Sequence, residues 1–164
     1  MTIILKNKHT LQIKDFNFRC SVGKSGIYKK KKEGDKKTPK GIFKIENLYY
    51  RKDRVKKPQT SLKKIEITKK MGWCDDPNDT KKYNKLVKIP IKSKFEKLYR
   101  KDNKYDLIIP IKYNFDKTIN GLGSCIFLHI TNNYRPTAGC ITISQKDFLI
   151  MLRLINKKTK IKIL

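Results

Sequence analysis

Two side chains in this chain could do chemistry together, Cys140 and His129, and both lie in the run SCIFLHITNNYRPTAGCITIS from Ser124 to Ser144. A thiol beside an imidazole is the minimal equipment for nucleophilic acyl transfer, because the imidazole can take the thiol proton and hand it on to a leaving group. The elements around them must bring the two together. Ser124 to Ile130 is apolar and β-prone, which predicts a strand with Cys125, Phe127 and His129 on one face and Ile126, Leu128 and Ile130 on the other. Thr131 to Pro136 (TNNYRP) is turn chemistry. A second strand follows, with Cys140, Thr142 and Ser144 on one face and Ile141 and Ile143 directed into a core. Gly139 before the candidate nucleophile lets a substrate approach the backbone, and the local N–H groups can face a developing oxyanion. The alternative is that Cys140 and His129 are packing residues, since Cys is among the most buried residue types.

The motif from His129 to Thr137-Ala138-Gly139-Cys140 resembles the signature of the L,D-transpeptidase (YkuD-domain) family: a His, a loop, then Ser/Thr-x-Gly-Cys and an apolar residue. VGKSGI (Val22 to Ile27), EGDKKTPKGIFKI (Glu33 to Ile45), YYRKDR (Tyr49 to Arg54) and GWCDDPNDTKKYN (Gly72 to Asn84) resemble a small single-domain branch of that family, in the expected order. Ala138 stands where many members carry His, and Thr142 where many carry Arg or Asn. The resemblance implies a curved β-sandwich of mixed sheets with a packed helix. It also implies a Cys140 nucleophile, a His129 base oriented by a main-chain carbonyl, and no cofactor. The implied reaction is acyl transfer on peptidoglycan stem peptides through a thioester, in cell-wall cross-linking or remodelling; hydrolysis of the same donor would make it a carboxypeptidase.

At 164 residues the chain is one domain, 1–164, long enough for a sizeable core. Its formal charge is +27, carried by 35 Lys and 6 Arg against 14 acidic residues. That field predicts weak, salt-dependent binding to polyanions whatever the function. A dedicated nucleic-acid-binding protein is the rival reading, but aromatics do not interleave with the lysines as a stacking platform would require. No run approaches the ~18 apolar residues of a membrane span. Met1 to Leu11 is too short and polar for a signal peptide. The resemblance places the protein in the periplasm or cell envelope, while the sequence leaves a cytoplasmic role open. Cys20, Cys74, Cys125 and Cys140 show no paired metal-ligand spacing, so no metal is expected.

Taken in order, Thr2 to Leu5 reads as a strand followed by a turn, and Phe16 to Val22 as a second strand ending in a hairpin turn at Gly23 to Gly26. Lys29 to Lys37 reads as a solvated loop, Thr38 to Gly41 as a turn bordering the cleft, and Ile42 to Ile45 and Leu62 to Ile67 as strands. Gly72 to Asn84 is expected to be a loop over the cleft, with Asp75, Tyr83 and Asn84 as candidate ligands of a substrate ammonium or amide. Phe95 to Tyr99 reads as a short helix or turn, and Tyr105 to Tyr113 as a buried strand whose Pro110 implies an edge position or a bulge. Ser144 to Asp147 fits a capping box before a helix with Phe148, Leu149, Leu152 and Ile155 on one face. Lys160 to Leu164 alternates as a last strand. The fold class is mainly β with one C-terminal helix. For substrate carboxylates the candidates are Arg135 first and Arg54 second, because each stays Arg where the chain otherwise uses Lys, and a planar fork holds a carboxylate bidentately. Arg135 could instead cap its own loop, and Arg54 could pair with Asp53. Thr137, from the Cys motif, completes the substrate-contact set.

Overall fold

The computed structural model describes residues 1–29 and 32–164, so Lys30 and Lys31 of the expected lysine loop lie outside the described residues. In chain order the elements are β1 (Thr2–Asn7), β2 (Thr10–Ile13), β3 (Phe16–Ser21), β4 (Ile27–Tyr28), β5 (Thr38–Pro39), β6 (Gly41–Lys44), β7 (Leu48–Tyr50), β8 (Lys64–Glu66), β9 (Met71–Cys74), β10 (Leu86–Lys88), β11 (Phe95–Lys97), β12 (Leu107–Pro110), β13 (Phe127–Ile130), β14 (Ile141–Ile143), α1 (Gln145–Leu154) and β15 (Lys160–Ile163).

Ten strands form one mixed sheet in the order β6-β15-β1-β2-β3-β14-β13-β12-β7-β8. The sheet curls back on itself. Beyond β6 the chain bridges Ile45 to Ile111, and the Glu46 and Lys112 amides donate to the Pro110 and Lys44 carbonyls, each at 2.9 Å. Because the sheet curls, its concave face encloses one large core. Ile3, Leu5, Leu11, Ile109, Leu128, Ile141 and Ile161 fill it with Phe148, Met151 and Leu152 of the helix. Strand alternation sends the neighbouring residues of β12 and β13 to the opposite face. There Ile108 and Phe127 join Tyr49, Trp73, Tyr105 and Cys140 in a second cluster. The small antiparallel sheet β10-β9-β11 packs over that face, with Trp73 edge-on to Phe127 at 5.3 Å between ring centroids.

Several expectations are revised. The turn after the first strand is short, and Thr10 to Ile13 is itself a strand, because Leu11 and Ile13 alternate inward. Gly23 to Gly26 does turn, with the Gly26 amide donating to the Gly23 carbonyl at 2.8 Å, but it joins no hairpin: β3 pairs with β2 and β14, and β4 with β5. Phe95 to Lys97 is an edge strand of the small sheet. Met71 to Cys74 is that sheet's central strand, so only the residues after it form a loop. Pro110 ends a strand that is central in the large sheet; it lies two residues beyond the last pair with β7, where its missing N–H breaks no ladder bond. Helix α1 starts as expected, with Ser144 accepting from the Asp147 amide, but its fully buried residues include Met151, while Leu149 is only partly covered. Among the described residues, no helix is long and apolar enough to cross a membrane.

Candidate active site

β13 and β14 run parallel with Leu128 beside Ile141 and His129 beside Thr142. Cys140 lies just before β14, with its sulfur 3.4 Å from the Phe127 amide, beside the strand that carries His129. Both open into a cavity of about 440 Å³ between the large sheet and the small one. The loop joining them is tightly fixed. Asn133 and Tyr134 take left-handed conformations at φ 51° and 54°, the Thr131 hydroxyl accepts from the Tyr134 amide, and the Arg19 guanidinium stacks 4.2 Å over the Tyr134 ring. The Ser21 hydroxyl donates to the Arg135 carbonyl at 3.1 Å.

The histidine is held neutral and in one tautomer. Its Nδ1 lies 2.9 Å from the Ile130 carbonyl, an obligate acceptor, so Nδ1 carries the proton and Nε2 keeps its lone pair. Burial pushes the imidazole down to about 4, so it is neutral at physiological pH. The Tyr105 ring stands edge-on to it at 5.0 Å. The Cys140 thiol donates to the Cys125 carbonyl at 3.1 Å, and its sulfur accepts from the Phe127 amide at 3.4 Å. The first contact suits the thiol and the second a thiolate.

Gly139 does not line the cavity. A Cβ there would stand 2.9 Å from the Lys37 carbonyl and 3.1 Å from Ile126, and its φ is +146°, so glycine is required by the chain packed behind Cys140 rather than by a substrate in front. Thr38 accepts from the Gly23 amide and donates to the Gly139 carbonyl, both at 2.8 Å, so Thr38-Pro39, expected as a turn, is the short strand β5 and holds the chain behind Cys140. Thr137 lines the cavity while its hydroxyl donates to the Cys140 carbonyl at 2.6 Å. That hydroxyl also accepts from the Gly139 amide at 3.1 Å, so this amide is occupied rather than open to an oxyanion.

Of the substrate-contact candidates, Arg135 and Asp75 also line the cavity. The Arg135 side chain is exposed and, among the described residues, has no hydrogen bond or ion pair, so it caps no carbonyl of its loop. Asp75 has a buried Oδ1 with no hydrogen-bond partner among the described residues, and burial raises its carboxyl above the usual range. Arg54, Tyr83 and Asn84 are not brought to the cavity. Arg54 donates to the Asp102 and Lys101 carbonyls at 2.7 and 2.9 Å and to Asp106 at 3.2 Å, pinning the turn that follows β11. The partner of Asp53 is Arg51, not Arg54. The Tyr83 hydroxyl donates to Glu33 and accepts from the Gly123 amide. Buried Asn84 accepts from Trp73 Nε1 and the Cys125 amide and donates to the Tyr113 and Asn114 carbonyls, tying four segments behind the site.

Glu96, Arg100, Lys104 and Tyr105 also face the cavity and were not singled out from sequence. Arg100 carried the signal used for Arg135, an Arg among lysines; Glu96 and Tyr105 carried none. Among the described residues, no group of three or more His, Cys, Asp or Glu side chains could hold a metal ion.

Comparison with curated proteins gave no match, and comparison with solved structures gave none either. The model of the L,D-transpeptidase catalytic domain family, YkuD, matches residues 1–163. A match over nearly the whole chain, on a curled mixed sheet with one C-terminal helix, places this protein in the L,D-transpeptidase catalytic-domain family.

Proposed function

We propose that the protein is a cysteine acyltransferase acting on peptidoglycan stem peptides. The observation that carries this is the neutral His129, locked by the Ile130 carbonyl and sharing one cavity with Cys140. His129 Nε2 takes the Cys140 proton as sulfur attacks a stem-peptide amide carbonyl, and the Phe127 N–H stabilises the charge on sulfur. The proton then passes to the leaving amine, which departs as a thioester forms. An amine of a second stem resolves the thioester in transpeptidation, and water resolves it in carboxypeptidation. Stem peptides carry several carboxylates, and the unengaged Arg135 fork at the cavity wall suits one of them. A wall substrate assigns the working enzyme to the periplasm or cell envelope, which fractionation of the native protein tests.

Incubation with purified muropeptides, followed by chromatography and mass spectrometry, tests the reaction. Cross-linked or trimmed stems are expected from the wild type and from neither Cys140→Ala nor His129→Ala. Products that persist in Cys140→Ala would refute the assignment.

A further inference from the structure

We propose that Glu96 is a further catalytic residue, the carboxylate that takes the proton of an incoming ammonium when an amine resolves the Cys140 thioester. The proposal rests on the Cys140 reading above and names which group handles the acceptor.

Glu96 sits in the middle of β11, the strand of the small sheet that pairs with β9, and lines the same cavity wall as Cys125, Tyr105 and His129. Its carboxylate is aimed by its neighbours. Oε1 accepts from the Tyr105 hydroxyl, and Arg100 Nη1 stands 4.0 Å from the same oxygen. Tyr105 in turn packs edge-on against His129, so one ring fixes both titratable groups.

An acceptor amine reaches the thioester as an ammonium and must lose one proton to become a nucleophile. As its nitrogen bonds to the carbonyl carbon and the carbon–sulfur bond breaks, it loses a second. His129, neutral after acylation, can carry one of these to the Cys140 thiolate and restore the thiol. The other needs a separate acceptor, which Glu96 supplies before releasing it to solvent. The new amide, the thiol and one free proton complete the balance. Water as acceptor arrives neutral, loses one proton to the thiolate through His129, and does not need Glu96.

With 41 basic and 14 acidic residues, the chain repels an ammonium at most approaches, so a carboxylate must face the place where one is to bind. The pairing of environments agrees. Burial pushes Glu96 above the ordinary carboxylate range, an effect moderated by the Tyr105 hydroxyl, Arg100 and the Cys125 thiol and reinforced by Asp75. Burial pushes His129 in the opposite sense. Two titratable groups displaced apart in one site is the pattern of an acid–base pair.

The experiment compares two acceptors on the muropeptide acyl-enzyme, D-alanine, which is an ammonium at neutral pH, and methoxyamine, which is already neutral there. Glu96→Gln is expected to acylate Cys140 within about twofold of the wild-type rate, to transfer to D-alanine about 100-fold more slowly, and to keep its transfer to methoxyamine. Tyr105→Phe keeps the ring and removes the hydroxyl bond to Glu96. Its D-alanine transfer should require a higher pH than in the wild type, because the carboxylate loses a partner that favours its charged form. That profile decides the matter if Glu96→Gln does not fold. Unchanged D-alanine transfer in Glu96→Gln, equal losses with both acceptors, or an unmoved profile in Tyr105→Phe would overturn the proposal while leaving Cys140 as nucleophile. A wild type that forms no acyl-enzyme at Cys140 would overturn both readings.

Discussion

Acidification should unfold this protein in part through one residue, and the size of the effect follows from the site. His129 is neutral in the folded state because burial lowers it from 6.5 to about 4, a change only partly offset by the Ile130 carbonyl and deepened by Lys104 and Arg100. The folded pKa lies below the unfolded one, so between these values the unfolded chain binds the extra proton. The stabilisation is therefore complete above 6.5 and is lost as pH falls to about 4. At about 1.4 kcal/mol per unit, the window contributes about 3 kcal/mol, or roughly 10 °C in Tm for a domain of this size. Carboxylates also titrate on the way down, so the measurement is a difference: urea unfolding of wild type and His129→Gln over a pH series. The stability gap between them should shrink by about 3 kcal/mol in the direction of low pH, with its change centred between the two values. Parallel curves would refute the claim that His129 is held neutral, and with it the reading of this residue as a resting base.

Asn84→Ala removes the acceptor for Trp73 Nε1 and the Cys125 amide and the donor to two carbonyls, at a residue with φ 57°. Urea unfolding should show a loss of about 3–4 kcal/mol, and a loss below about 1 kcal/mol would contradict its role as the tie behind the site. Arg135→Lys keeps the charge but loses the fork, and should lower kcat/KM for muropeptides roughly tenfold with stability intact. Unchanged kinetics would make Arg135 an idle surface residue. Ser144→Ala should cost about 1 kcal/mol in thermal unfolding through the lost bond from the Asp147 amide; no change would show that the helix start is held by packing alone.

The strands carrying His129 and following Cys140 were legible because period-two alternation is a local rule, but the first begins at Phe127 rather than Ser124, since Cys125 takes φ 54°, and Cys140 lies just before the second. The helix cap was legible for the same reason. Three arginines show where such reasoning stops. Being Arg among lysines does signal a bidentate or multidentate contact, but Arg51 makes it to Asp53, Arg100 to Asp102, and Arg54 to main-chain carbonyls and Asp106. Only the fold separates these internal partners from the unengaged Arg135. Asn84 and Tyr83 looked like ligands because their segment was expected to loop over the cleft, yet burial turns them into cross-ties. The small sheet was misread because its strands have three or four residues, too few for periodicity to speak. Glu96 and Tyr105 reach the cavity only through that sheet and through the pairing of β12 with β13, neither of which leaves a local trace.

Acylation of Cys140 is the step on which the proposed chemistry depends. Intact-mass spectrometry after incubation with a carbapenem should show one covalent adduct per chain, mapped by digestion to the peptide containing Cys140, and none in Cys140→Ala. An adduct that survives in Cys140→Ala, or that maps to Cys20, Cys74 or Cys125, would contradict the assignment of Cys140 as the nucleophile.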